Sequence, residues 1–439
     1  MDEEPVLKRA RIKYEEGSDI KILEGMYLNK IKGIPSNDKY KSIHIKDLIN
    51  NIHPQKSIFF TFYYENDFFN EIYEDHRSGM DNITLIIGVD RNIIRKVREE
   101  EENINDNIRK RYVPMEAYST HHTKLSIFFG EDKKPHIVIG SANLNSDEWD
   151  NITQALYYVI GKEKSEGYRS EDDFFLADLI QYFETGYKNQ IFYEEIIQPL
   201  IEELKVWSFL HIKDRLIFSI YGSKIPKFMK DFGMNKIKLL LEGNKEKLGL
   251  ISYFVIQCSS IGFIGTSEKK WLVDSFLKSL TNEGLNSLDK LKIIYPSLDD
   301  VRNSINGYGS GYLFPYSVRN KEKQGKYIDP CLHRWSSETL KRTRYLPHIK
   351  TYTAFDSNNK PIYQFIGSQN LSKAAWGEID GYGTFTMKNY ELGIFTFDEK
   401  SMIVPYDIPL VKYQSDQKIW TMNENHTEVD CHGCKYIIE

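Results

Sequence analysis

Short apolar runs rich in β-branched and aromatic residues recur along the chain at 58–63, 83–89, 125–129, 136–139, 215–221, 251–257, 293–296, 349–353, 362–366 and 390–397. Each is bounded by polar or turn-forming residues, the pattern of a buried strand. Helical signals fall between them. Residues 91–102 carry a basic block followed by an acidic one, as on a solvated helix. Ser170 with Asp173 at capping-box spacing precedes an apolar face through Phe174, Leu176, Ile180 and Phe183, which predicts a helix starting at 170. A further helix is expected over 268–280. Strands alternating with helices in both parts of the chain imply an α/β fold with helices on both sheet faces. The stretch 203–213 reads as a boundary, giving parts 26–205 and 206–439 behind a loose polar tail, 1–25. Residues 307–315, rich in glycine and tyrosine, read as a loop able to approach a ligand closely.

Within two of the predicted strand pairs the same polar pattern occurs. His122-Thr123-Lys124 is followed by Gly140-Ser141-Ala142-Asn143, and His348-Ile349-Lys350 by Gly367-Ser368-Gln369-Asn370. Lysine to asparagine is 19 residues in the first copy and 20 in the second. Each asparagine is followed by leucine and, six residues on, by tryptophan, Trp149 and Trp376. Copies 226 residues apart indicate a duplicated domain rather than a solenoid. His-x-Lys alone is weak evidence. It also occurs at 44–46 and 211–213 without the second element, and those copies read as ordinary strand or loop residues. On an extended chain, residues two apart face the same side, so this spacing presents an imidazole and an ammonium together.

Composition narrows the partners. The chain has 439 residues, enough for two to three domains, and 41% are hydrophobic. A net charge of −5 means that any nucleic-acid affinity must come from a local basic groove and stacking. Four cysteines give no disulfide framework, which suits a reducing compartment. Cys431-His432-Gly433-Cys434 with His426 upstream has the look of half a zinc site; without a second pair, a mobile C-terminal tail is expected. The start, Met1-Asp2-Glu3-Glu4, is acidic where a signal peptide would be basic. The cluster Lys8-Arg9-Ala10-Arg11-Ile12-Lys13 suits a nuclear address. Residues 248–267 form an uncharged run of 20, long enough to cross a bilayer, but Gln257, Ser259 and Ser260 within it predict a buried strand entering a polar loop.

Two histidines, two lysines and two asparagines meeting across a pseudo-two-fold axis would form a cationic pocket for a tetrahedral anion. Donors aimed at oxygens where charge grows can supply ~3–4 kcal/mol each in the transition state. One imidazole can attack phosphorus while the other protonates the leaving oxygen. In the sequence the two are interchangeable. With no dense carboxylate cluster beside the motifs, the lysines take the place of metal ions, and neither metal nor cofactor is expected.

The doubled His-x-Lys and Gly-Ser-x-Asn pattern resembles the phospholipase D superfamily, and the chain is most similar to its tyrosyl-DNA phosphodiesterase branch. The aspartate that the wider superfamily places five residues after lysine is replaced here by Phe129 and Phe355, as in that branch. Residues 120–124, 257–262, 294–297 and 371–377 also resemble it, and the similarity runs from about 26 to 420. The long polar N-terminal extension of many relatives is missing. The resemblance implies two pseudo-symmetric phospholipase D-like halves, each a mixed sheet flanked by helices on both faces. It implies hydrolysis of the bond between a DNA 3′ phosphate and a tyrosine of a trapped type IB topoisomerase, or another 3′ adduct, through a covalent phosphohistidine. His122 would attack, and His348 would act as acid and then base. Lys124, Lys350, Asn143 and Asn370 would hold the phosphate; Gln154 and Glu391 would replace the aspartates and orient the imidazoles. Tyr118, Ser259, Ser260 and Ser372 match positions that touch DNA, while Pro315 and Trp420 would contact substrate. Single-stranded or frayed 3′ ends and a topoisomerase-derived peptide are the implied partners of a monomer in the nucleus. The rivals are another phospholipase D-type phosphodiesterase or nuclease, and a non-catalytic protein that binds DNA ends.

Overall fold

The computed structural model describes residues 22–35, 40–101, 108–224 and 229–438. The basic cluster at 8–13 lies outside them. The first part of the chain supplies β1 (Gly25–Asn29), β2 (Ser42–Ile43), β3 (Lys56–Thr61), β4 (Ile83–Asp90), β5 (Ile108–Met115), β6 (Thr120–His121), β7 (Leu125–Phe129), β8 (Pro135–Gly140) and β9 (Ala155–Ile160). The second supplies β10 (Arg215–Ser219), β11 (Gly222–Lys224), β12 (Tyr253–Gln257), β13 (Leu291–Ile294), β14 (Leu332–His333) and β15 (Lys350–Phe355). It continues with β16 (Pro361–Gly367), β17 (Glu378–Ile379), β18 (Phe385–Met387) and β19 (Asn389–Thr396). Every apolar run read as a strand is one, with ends displaced by a few residues.

The duplication is visible in the topology. One sheet runs β2-β1-β9-β8-β7-β3-β4-β5 and the other β10-β19-β16-β15-β12-β13-β14. Beyond the edge strand β2, the two orders correspond strand for strand. The directions correspond as well. The hairpins β7–β8 and β15–β16 are antiparallel, and the steps β3–β4–β5 and β12–β13–β14 are parallel. Parallel steps need crossover segments, and these place helices on the sheet faces.

Alternation along the first sheet sends side chains to two cores. Phe59, Leu85, Phe128, Val138 and Tyr158 pack on one face with helices Ile45–Ile52 and Asn66–Ile72. Ile58, Phe60, Ile127 and Ile137 face the other way, onto Phe175, Leu179, Tyr182 and Phe183 of helix Phe174–Tyr187. That second core continues without a break into the second sheet through Phe218, Phe254, Tyr352 and Phe365. The halves are also joined by backbone pairing. β6, from the first part, pairs in parallel with β19, and Thr153 forms a parallel bridge with Pro347.

Several expectations are corrected. The helix begins at Phe174, not Ser170, because Asp173 is itself the N-cap, accepting from the Leu176 amide at 3.3 Å. Leu176 and Phe183 are buried as expected and Ile180 partly so, while Phe174 is exposed and Phe175 and Leu179 complete the buried face. Residues Gly307–Leu313 form 3-10 helix rather than an open loop. The N-terminal segment is tied down over its described part, since the Glu24 carboxylate accepts from the Ile160 amide and contacts His211 at 2.8 Å. The C-terminal tail is docked, not mobile. The Asp430 carboxylate accepts from the amides of Tyr308, His432 and Cys434 at 2.9 Å each, and the rings of Tyr308, Trp420, His426 and Tyr436 pack together. Cys431 donates its thiol proton to the Ser304 carbonyl. Among the described residues no group of three or more His, Cys, Asp or Glu is arranged to hold a metal ion, and no helix is long and apolar enough to cross a membrane.

Candidate active site

The hairpins explain the motif spacing. Lys124 lies just before β7 and Lys350 opens β15; β8 and β16 return alongside them, so the Gly140 amide donates to the Lys124 carbonyl at 3.0 Å and Lys350 pairs with Gly367. The intervening residues are the two strands and their turn. A glycine is required at 367 because a Cβ there would come within 2.7 Å of the Gly393 Cα of β19. The serine that follows ties each hairpin to the next strand by an identical pattern. The Ser141 amide donates to the Ala155 carbonyl and the Ser368 amide to the Leu392 carbonyl, both at 3.0 Å. The Ser141 hydroxyl donates to Gln154 Oε1 at 2.7 Å, and that of Ser368 to Glu391 Oε2 at 2.5 Å. Gln154 and Glu391 are thus counterparts in the two halves.

Each counterpart reaches across to the other half's histidine. Glu391 Oε2 lies 2.9 Å from His122 Nδ1, and Gln154 Nε2 lies 3.2 Å from His348 Nδ1. The parallel pairings β6–β19 and Thr153–Pro347 make this possible, carrying the residue before each His-x-Lys to the residue before its partner. The amides of His122 and His348 donate to the carbonyls of Tyr390 and Thr153 at 2.8 and 3.0 Å. His122, His348, Lys124 and Lys350 consequently form one site. His44 and His211 stay outside it; His44 is an N-cap accepting from the Lys46 amide.

His348 has a second partner that the sequence reading missed. Glu148 Oε2 lies 3.0 Å from His348 Nδ1. The short helix Ser146–Asp150, capped by Asn145, brings Glu148 under the pocket. There its carboxylate accepts from the Asn143 amide at 2.8 Å, Asn143 Nδ2 at 2.6 Å and Gln154 Nε2 at 3.0 Å. The signal was a difference between the copies, since the position five residues after the asparagine is Glu148 in one and Ala375 in the other. Phe62 was also missed; its ring lies 5.7 Å from that of His122.

The electrostatics suit an anion. Lys124 and Lys350 each donate one proton to the carbonyl of the histidine two residues before, leaving two N–H groups free. Burial lowers Lys124 to about 8. Burial and repulsion from Lys124 lower Lys350 much further. Burial and Lys350 press His348 down to about 3, and burial and Lys124 lower His122. Burial would raise the carboxyls of Glu148 and Glu391, but their imidazole partners and hydrogen-bond donors outweigh it and hold both below the usual range. An anion bound between the lysines would offset the repulsion between two buried ammonium groups and raise their proton affinity.

The remaining predicted residues divide. Asn370 Oδ1 accepts from the amides of Ser259 and Ser260 at 3.1 and 3.0 Å and from the Ser259 hydroxyl at 3.2 Å, which presents its Nδ2 as a donor. Ser259 is fully buried and acts on Asn370. The Ser372 hydroxyl caps helix Lys373–Trp376, accepting from the Ala375 amide. Tyr118 is 90% exposed and holds a left-handed φ of 60°, uncommon for a residue with a side chain. Pro315 is exposed. Trp420 is not a surface contact; it is wholly buried and donates to the Gly311 carbonyl.

Residues 25–429 match the family model described as tyrosyl-DNA phosphodiesterase. A probable tyrosyl-DNA phosphodiesterase of Caenorhabditis elegans is 30% identical, covering 93% of this chain and 91% of that protein. One from Schizosaccharomyces pombe is 23% identical over 96% of this chain and 97% of its own length. The crystal structure of the yeast tyrosyl-DNA phosphodiesterase superposes with a TM-score of 0.69 at 18% identity, over 91% of this chain and 99% of that one. This likeness shows the same α/β architecture of two phospholipase D-like halves.

Proposed function

The chain belongs to the tyrosyl-DNA phosphodiesterase family, and from that premise we propose that it hydrolyses the bond between a DNA 3′ phosphate and a tyrosine or another 3′ adduct. The observation that carries this reading is the crossed pairing of each imidazole with a carboxylate beside two buried lysines. With the His122 Nδ1 proton held by Glu391, the Nε2 lone pair is free to attack phosphorus. A P–N bond forms, the P–O bond to the phenol breaks, and the leaving oxygen takes a proton from His348. In the second step water attacks the phosphohistidine, its proton passes to His348, and the P–N bond breaks to leave a 3′ phosphate. Lys124, Lys350 and Asn370 stabilise the oxygens in both steps; Asn143, expected beside them, donates its Nδ2 to Glu148 at 2.6 Å instead.

The exposed ring of Tyr118, four residues before His122, offers a face for a base, worth ~1–3 kcal/mol, which supports a single-stranded or frayed 3′ end as substrate. A topoisomerase-derived peptide is the corresponding leaving group. One chain supplies both motif copies, which supports a monomer. The cluster at 8–13 supports a nuclear address, testable by following a fluorescent fusion with and without it. To test the activity, purified protein is incubated with a 3′-phosphotyrosyl oligonucleotide. A 3′-phosphate product that disappears with His122→Ala is expected. Binding of the oligonucleotide without conversion, or hydrolysis of phospholipid instead, contradicts the proposal.

A further inference from the structure

We propose that Glu148 is the positioning residue for His348, the carboxylate that fixes a proton on Nδ1, and that Gln154 serves to hold Glu148 rather than to orient the imidazole. The inference rests on the functional reading above.

The orientation of Gln154 decides the matter. The Ala155 amide donates to the Ser141 hydroxyl at 3.0 Å, and the hydroxyl donates its own proton to Gln154 Oε1 at 2.7 Å. Gln154 Oε1 is therefore an acceptor facing Ser141, and the amide turns its Nε2 toward His348 and Glu148. An amide nitrogen donates and cannot accept. Of the two groups beside His348 Nδ1, only Glu148 Oε2 can receive a proton from it. Gln154 Nε2 donates to the same carboxylate oxygen at 3.0 Å. With Asn143 donating twice and Asn145 Nδ2 at 3.3 Å, Glu148 is held as an anion in a fixed pose.

The chemistry needs that proton where Glu148 puts it. With Nδ1 protonated, neutral His348 exposes a bare Nε2 that can take a proton from water. Were Gln154 the sole partner, Nδ1 would accept from its amide, Nε2 would keep its proton, and the ring could not act as a base. Glu148 thus bears chiefly on hydrolysis of the phosphohistidine. The second copy supplies its carboxylate differently: Ala375 stands where Glu148 does, and Glu391 where Gln154 does. Each imidazole receives one carboxylate, from a different point of the repeat.

That difference gives the test. Glu148→Ala makes this position like its counterpart in the second copy, and Glu148→Ala with Gln154→Glu reproduces the whole second-copy arrangement. With the 3′-phosphotyrosyl oligonucleotide, the single variant is expected to slow breakdown of the covalent intermediate by about 10²-fold or more, so that a DNA–protein adduct accumulates on denaturing gels. The double variant is expected to recover most of that rate, which mere structural support would not do. In ¹⁵N-labelled protein, NMR should find His348 protonated at Nδ1 in the wild type and at Nε2 in Glu148→Ala. Glu148→Gln, which keeps the shape and loses the charge, replaces the single variant should it fail to fold, and should likewise accumulate adduct. Wild-type turnover in Glu148→Ala or Glu148→Gln, or an unchanged His348 tautomer in folded Glu148→Ala, overturns the proposal. If wild-type protein leaves the oligonucleotide intact, the functional reading fails, and the tautomer measurement still decides the role of Glu148.

Discussion

His122 and His348 occupy the same place in two copies of one sheet, yet their surroundings differ on both sides. The neighbours of His122 are polar and buried. His121 Nε2 contacts the Tyr187 hydroxyl at 2.8 Å, Tyr187 contacts Tyr182 at 2.7 Å, and Tyr182 contacts the Thr123 hydroxyl at 2.7 Å. This chain of hydroxyls clasps the backbone on either side of His122. The neighbours of His348 are Pro347 and Ile349, the latter packed among Leu28, Leu340, Ile366 and Ile403. Beneath the rings, Glu391 faces His122 Nδ1, whereas His348 Nδ1 faces Glu148, whose carboxylate takes a donor from Gln154. On the roles proposed above, a single carboxylate would leave His122 Nε2 free to attack, and a carboxylate with an added donor would suit a base that gains and loses a proton. Duplication set where the imidazoles stand, and divergence around them set what each can do.

The largest effect expected from probing this contrast comes from the lysines. Lys350→Met and Lys124→Met should each lower kcat by about 10²–10³-fold, the cost of losing a transition-state donor, measured by single-turnover cleavage. Because Lys124 repels Lys350, removing Lys124 should also raise the proton affinity of Lys350. The pH profile comes next. For a lysine whose folded pKa lies below its unfolded value, the charge is lost earlier as pH rises. With Lys124 at about 8 and Lys350 lowered further, kcat/KM, which reports the free enzyme, should already be falling at pH 8 and keep falling above it. In Lys124→Met this limb should no longer fall at that pH.

A smaller effect is expected from the hydroxyl chain. Tyr182→Phe strands its buried partners and should cost about 1–3 kcal/mol of stability, read by denaturant unfolding, and should slow adduct formation on His122 more than adduct breakdown through His348. Equal slowing of both steps would remove the contrast between the two flanks. The smallest effect concerns metal. With lysines in the place of cations, EDTA should leave the rate unchanged, and loss of activity restored by magnesium would count against the lysine-based account.

The strands were legible because they are continuous apolar runs, and the paired motifs because both copies keep their polar residues. Gln154 and Glu391 came from resemblance; nothing in their spacing shows that each serves the opposite half. Glu148 leaves no mark in the likeness of the two copies, since its counterpart is Ala375. The docked tail was missed for a related reason. Asp430 holds it through backbone amides, and those contacts leave no periodic trace in a segment whose Val429, Ile437 and Ile438 stay exposed. Trp420, read as a contact residue, fills the core that this tail completes.

The central claim is that the two copies make one catalytic centre with divided roles. Its most direct test is to quench His348→Ala during reaction with a 3′-phosphotyrosyl oligonucleotide and map the modified residue by mass spectrometry. The account predicts a DNA phosphoryl group on His122 that persists because no base activates water. A phosphoryl group on any other residue, or full turnover with no adduct, would contradict it.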